Sequence, residues 1–130
     1  MIRAIMESVG YMLKENLSVV QEVARCYAKQ VRCMGGGAKS PLWLQIKSDI
    51  CQVEINRMAH TECTSLGAAI VGAVALGWFP DYQTAVDHAN SIEKVFSPQK
   101  ENREVYERRF AKFLEIYQAL KPVFYPRSEI

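Results

Sequence analysis

No apolar run in this chain reaches the ~18–20 residues that a membrane-spanning helix needs. The longest candidate, Leu66 to Phe79, falls short of that and is rich in glycine and alanine. An excess of one charge is also missing, since 16 Lys and Arg against 14 Asp and Glu leave a net charge of +2. That balance gives no reason to expect nucleic acid or an anionic membrane as a partner. The four cysteines, Cys26, Cys33, Cys51 and Cys63, form no CxxC pair, and His60 and His88 stand far apart. A zinc site is therefore not expected. The thiols read as buried or half-buried groups of a cytoplasmic protein. Arg3, Glu7 and Lys14 interrupt the first apolar residues, which does not follow the plan of a signal peptide. Internal repeats and low-complexity linkers are lacking as well.

What is present suits a soluble globular chain. Hydrophobic residues make up 49% of the 130 positions and charged residues 23%, an ordinary balance. The length predicts one domain or a piece of one, able to bury roughly two-thirds of its unfolded surface.

Helical spacing of Ile2, Met6, Val9, Leu13, Leu17 and Val20 predicts an amphipathic first helix over residues 2–20, with room to run on toward Tyr27. It is in full swing at residue 2 without a capping residue, which suggests a chain cut from something longer. Residues 30–34 read as a short strand, 41–50 as a helix with Leu42, Trp43, Ile46 and Ile50 on one face, and 52–55 as a second strand. Residues 56–63 read as polar and irregular. The small apolar stretch from Leu66 to Gly77 predicts a helix buried on most sides, ended by Gly77. A short helix follows from Pro80 and Asp81 to about Asn90, then an edge strand at 92–96. A long amphipathic helix over residues 101–120 carries Val105, Phe110, Phe113, Leu114, Tyr117 and Leu120, and Pro122 and Pro126 close the chain. Strands interleaved with helices indicate an α/β class. The sheet is too narrow to cover its own faces and edges, a second sign of a missing part.

The stretch from Met34 to Trp43 organises this layout. Gly35, Gly36 and Gly37 follow a strand and precede a helix that Ser40 can cap and Pro41 can open. A bare loop at a helix N-terminus suits an anion or a nucleotide. It is not a P-loop: Ala38 precedes Lys39-Ser40 and Cys33 stands five positions before Ala38, so both required glycines are absent. The dinucleotide pattern would start at Gly35 and fails at Ser40. A flexible turn without a ligand remains open beside the ligand-binding reading.

Gly35 through Trp43, followed by Gln45-Ile46 and Asp49-Ile50, resembles the adenosine motif of the FGGY family of carbohydrate kinases, and within it the xylulokinase-like members. Glu62-Cys63-Thr64-Ser65-Leu66-Gly67-Ala68-Ala69 is similar to the family's E-x-x-x-L-G-A-A segment. Arg3-Ala4, Glu7, Ser8 and Val9 resemble its R-A-x-x-E-G-V helix, with Ser8 in place of glycine. Asn102 through Tyr117 resembles the closing helix, so the likeness covers nearly the whole chain in the family's order.

The resemblance implies a partial actin-like, ribonuclease-H-like ATPase domain: helix-rich, with a small incomplete sheet, residues 1–130 forming the C-terminal part of the second, nucleotide-binding domain. It implies ATP with Mg2+ as cofactor, a missing N-terminal kinase domain as partner, and a sugar substrate, a pentulose such as xylulose, only in the full-length enzyme. Gly35, Gly36 and Gly37 would lie against the adenosine and inner phosphates, Lys39 could reach phosphate or be solvated, and Ser40 would sit near the adenine or serve as a cap. Leu42 and Trp43 could wall the adenine, or Trp43 could join the core. No catalytic residue is assigned: Asp49, Asp81 and Asp87 read as solvated or capping carboxylates, not the general base. Glu62 is expected to cap the next helix or to hold the glycine loop. The chain alone would be inactive and would self-associate through exposed apolar faces or a strand edge. A non-enzymatic nucleotide-binding or assembly module on the same scaffold is the alternative.

Overall fold

The computed structural model describes residues 1–60 and 62–124. The chain runs through helix α1 (Ile2–Ala24), strand β1 (Gln30–Cys33), a 3-10 turn (Gly36–Lys39), helix α2 (Pro41–Cys51) and strand β2 (Glu54–Met58). It continues through helix α3 (Cys63–Ala75), helix α4 (Tyr82–Ala89), strand β3 (Ile92–Phe96), a second 3-10 turn (Lys100–Asn102) and helix α5 (Arg103–Phe124). The sheet order is β1-β2-β3, with β1 and β2 parallel and β2 and β3 antiparallel. Among the described residues no helix is long and apolar enough to cross a membrane.

Helix α2 is the element the layers share. Its Leu44 packs toward the sheet, in a cluster with Ala38, Ile55 and Phe96. Its Ile46 and Ile50 face the other way, into a cluster with Tyr11 of α1 and Tyr106 of α5. Full burial of each such side chain contributes about 1.5–3 kcal/mol, so α2 contributes to both halves of the core. A Cβ on Gly10 would stand only 2.6 Å from Ile50 Cδ1, so glycine there lets α1 approach α2 closely. Ser48 Oγ lies 2.8 Å from the carbonyl oxygens of both Val53 and Phe96, which ties α2 to the sheet.

Several expectations need correction. The buried face of α1 holds Glu7, Gly10 and Tyr11, whereas Ile2 and Val20 of the apolar stripe are exposed. Strand β2 begins two residues later and ends three later than its alternation suggests, and it takes in Asn56 and Met58, both buried. The donor side of the buried Asn56 amide is met by Gln30 Oε1 on the neighbouring strand, which accepts from Nδ2 at 2.6 Å. Helix α3 has no buried residue; it packs chiefly on α4, and its Gly-rich surface faces outward. Pro122 lies inside α5 instead of ending it, and Pro126 lies outside the described residues. Cys26 and Cys63 are exposed, so only Cys33 and Cys51 fit the half-buried expectation.

Candidate functional site

Strand β1 delivers the chain at its carboxyl end to the glycine turn, and the three glycines answer three different demands. Gly35 adopts φ 79° and ψ −175°, a conformation open essentially to glycine alone. Among the described residues a Cβ on Gly36 would meet no atom within 4 Å beyond its chain neighbours, so none of them requires that position to be bare. A Cβ on Gly37 would press on Trp43 Cζ3 at 3.3 Å. Ala38 then anchors the turn: its N–H donates to the Gly35 carbonyl at 3.0 Å, and its side chain is buried beside Leu44, Ile55 and Phe96. Among the described residues neither the Gly36 nor the Gly37 N–H has a backbone acceptor. The result is a side-chain-free turn seated by Ala38.

Ser40 acts as the N-cap of α2, its Oγ accepting from the Trp43 N–H at 3.3 Å, with Pro41 opening the helix. Lys39 ends the turn and is exposed. Trp43 is half-buried, and its Nε1–H donates to the Met6 carbonyl of α1 at 3.1 Å, which serves the core reading. Leu42 is exposed.

Lys47, one helical turn beyond Trp43, was not marked by any motif. Its Nζ lies 4.4 Å from the centre of the Trp43 ring and would stand 3.8 Å from a Cβ on Gly37. An i, i+4 spacing from Trp43 was the available signal.

The aspartates are engaged. Asp49 is buried and accepts from Gln45 Nε2 (2.8 Å), the Gln99 N–H (2.9 Å) and Asn102 Nδ2 (2.8 Å). It is a tether between α2 and the start of α5, not the solvated or capping carboxylate the sequence suggests. Asp81 caps α4 through the Thr84 N–H at 2.7 Å, and that bond holds its carboxyl below the usual range. Asp87 accepts from Gln83 Nε2 at 2.8 Å.

The parallel pairing of β1 and β2 brings Ala59 and His60 out of the sheet at the same edge as the glycine turn, the edge where open α/β sheets bind ligands. Ala59, His60, Glu62, Ser65 and Leu66 line an open depression of about 410 Å³ there. Glu62 occupies the N-cap position of α3, but its side chain makes no capping bond. Among the described residues no three His, Cys, Asp or Glu side chains cluster to hold a metal ion.

Burial pushes the Cys51 thiol up to about 12 and raises Cys33 as well, with Lys47 opposing both. Neither is a primed nucleophile.

Residues 1–76 match the family model described as the FGGY family of carbohydrate kinases, C-terminal domain. A xylulose kinase of Staphylococcus epidermidis is 35% identical over 119 residues, covering 92% of this chain and 24% of the relative. An uncharacterized sugar kinase of Escherichia coli is 41% identical over 105 residues, 81% of this chain and 21% of the relative. The solved xylulose kinase of Rhodospirillum rubrum superposes with a TM-score of 0.78 at 24% identity, over 95% of this chain and 25% of that one. The chain thus spans about a quarter of the length of these proteins.

Proposed function

The chain belongs to the FGGY family of carbohydrate kinases, and from that premise we propose that it is the adenosine-binding part of an ATP-dependent kinase acting on a sugar hydroxyl. Xylulose or a related pentulose is the substrate class, by likeness to the xylulose kinase of S. epidermidis. One observation carries the nucleotide reading: Gly36 is bare although, among the described residues, no atom beyond its chain neighbours lies within 4 Å of where its Cβ would stand. A position kept bare with room above it suits a ligand that must come close.

Phosphoryl transfer depends on positioning and on charge neutralisation more than on covalent help from the protein. The nucleotide supplies the transferable phosphoryl group. This chain's part is to hold it: Gly35 and Gly36 offer the bare surface, the Gly36 and Gly37 N–H groups the donors, and Lys39 and Ser40 the polar rim. The residues present fit a nucleotide. They bring no cluster of metal ligands for Mg2+ among the described positions. The three aspartates are all committed to structural hydrogen bonds, so the general base and the sugar site belong to the N-terminal kinase domain, the partner in this reading. In the same reading the enzyme works in the cytoplasm, and residues 1–130 are the C-terminal part of its second domain, inactive alone.

Calorimetric titration with ADP tests the shelf, and a coupled kinase assay with xylulose tests the division of labour. Saturable ADP binding without turnover is expected. Turnover of any pentulose by the 130-residue chain would refute the reading.

The second reading, a nucleotide-binding or assembly module without catalysis, draws on α3. Val71, Leu76 and Trp78 are exposed on or just after that helix, and an apolar surface of this kind favours association. Self-association in sedimentation is expected under both readings; a monodisperse monomer would count against it.

A further inference from the structure

Lys47 is held in place by contacts that leave its charge unanswered. Lys14 and Lys112 each meet a carboxylate, Glu107 and Glu115, at 2.8 and 2.7 Å. Lys47 has no ion pair or protein hydrogen-bond acceptor among the described residues, yet it is half-buried. Its ammonium sits over the Trp43 ring at 4.4 Å. That ring is itself fixed, by its N–H bond to the Met6 carbonyl at 3.1 Å and by its fit against Gly37. The neighbouring thiols of Cys33 and Cys51 supply no negative charge, because burial holds them protonated. A partly desolvated cation without a counter-ion is unfavourable unless an anion completes it.

The place where that anion would fit is beside the ammonium. The ammonium would stand 3.8 Å from a Cβ on Gly37, whose N–H, like that of Gly36, has no backbone acceptor among the described residues. An ammonium beside a turn with such N–H groups offers the kind of donors that suit a phosphate. Lys39, the lysine the motif supplies, is exposed at the end of the turn, and among the described residues no aromatic ring holds it.

We propose that Lys47, carried on the face of Trp43, binds a phosphate of the nucleotide held at the glycine turn. Lys47 is then a binding residue, and Trp43 positions it. This rests on the adenosine-shelf reading and adds a specific cation to it.

The test is a titration of the full 130-residue chain with adenosine and with ADP, for the wild type, Lys47→Met and Lys47→Arg. Methionine keeps much of the stem on Trp43 and removes the charge. The wild type is expected to prefer ADP over adenosine. Lys47→Met should lose about tenfold or more of its ADP affinity, with adenosine affinity unchanged, and Lys47→Arg should retain ADP binding. If Lys47 only braces Trp43, Lys47→Met lowers the melting temperature and leaves the ratio of ADP to adenosine affinity where it was, which overturns the proposal. ADP binding by the wild type that is equal to adenosine binding overturns it without any variant. Binding of neither compound by the wild type overturns the shelf itself, and Lys47's role with it; ADP binding that survives Lys47→Met removes only Lys47.

Discussion

Glu7 of α1 and Arg109 of α5 meet at 3.1 Å across 102 positions of sequence. The same carboxylate accepts from Arg3 Nε at 2.9 Å and lies 3.3 Å from the Tyr106 hydroxyl. The segment from Arg3 to Glu7 therefore braces the first helix against the last and holds the helical layer on the far side of α2 from the sheet.

Replacing Glu7 by alanine should cost about 1–2 kcal/mol in chemical unfolding. The two arginines are exposed, with side chains 65% and 55% accessible, so solvent screens their share. The buried bond with Tyr106 carries more of it. Glu7→Gln should cost less than Glu7→Ala, and a double-mutant cycle with Tyr106→Phe should show coupling.

Gly10→Ala should destabilise by about 1 kcal/mol, because the clash with Ile50 outweighs the gain in helix propensity. Ile50→Val removes the Cδ1 atom that a Cβ on Gly10 would meet at 2.6 Å. The double variant should then be more stable than the sum of the two single changes predicts. Strict additivity would mean that α1 simply shifts away.

How much of this could be read beforehand depends on range. The glycine turn, the Ser40 cap and Pro41 at the head of α2 were legible, because each depends on residues within a few positions. The likeness of three ordered motifs identified the family, which the match over residues 1–76 bears out. Asn56 hid the end of β2, since its burial depends on Gln30, 26 positions away. Asp49 looked like a surface carboxylate because the groups that satisfy it, the Gln99 N–H and Asn102, lie 50 and 53 positions on. Apolar composition suggested a buried α3, but burial needs a covering partner, and among the described residues only α4 packs substantially on it. Lys47 escaped notice because its significance lies in the Trp43 ring and in the lack of a carboxylate, neither of which is a motif.

Alkali should weaken the fold. Burial raises the Cys51 thiol from 9.0 to about 12. Burial, and then the charge of Glu7, raise the Tyr11 hydroxyl from 10.0 to about 12. Both groups bind protons more tightly when folded, so their contribution is complete below the unfolded values and is lost as pH climbs from about 9 toward 12. Unfolding free energy measured from pH 7 to pH 10.5 should fall above pH 9, and Cys51→Ala should flatten the first part of that fall. A thiol reagent at pH 8 should modify exposed Cys26 quickly and Cys51 slowly. Equal rates would contradict the assigned burial.

The central claim is that Gly36 of the glycine turn is bare for a nucleotide and not for the protein. Its most direct test compares ADP affinity and unfolding free energy in the wild type and in Gly36→Ala. The open space at Gly36 predicts little change in stability, whereas the added methyl group should weaken ADP binding several-fold or more. ADP affinity unchanged by Gly36→Ala, or no ADP binding by the wild type at millimolar concentration, would contradict the account.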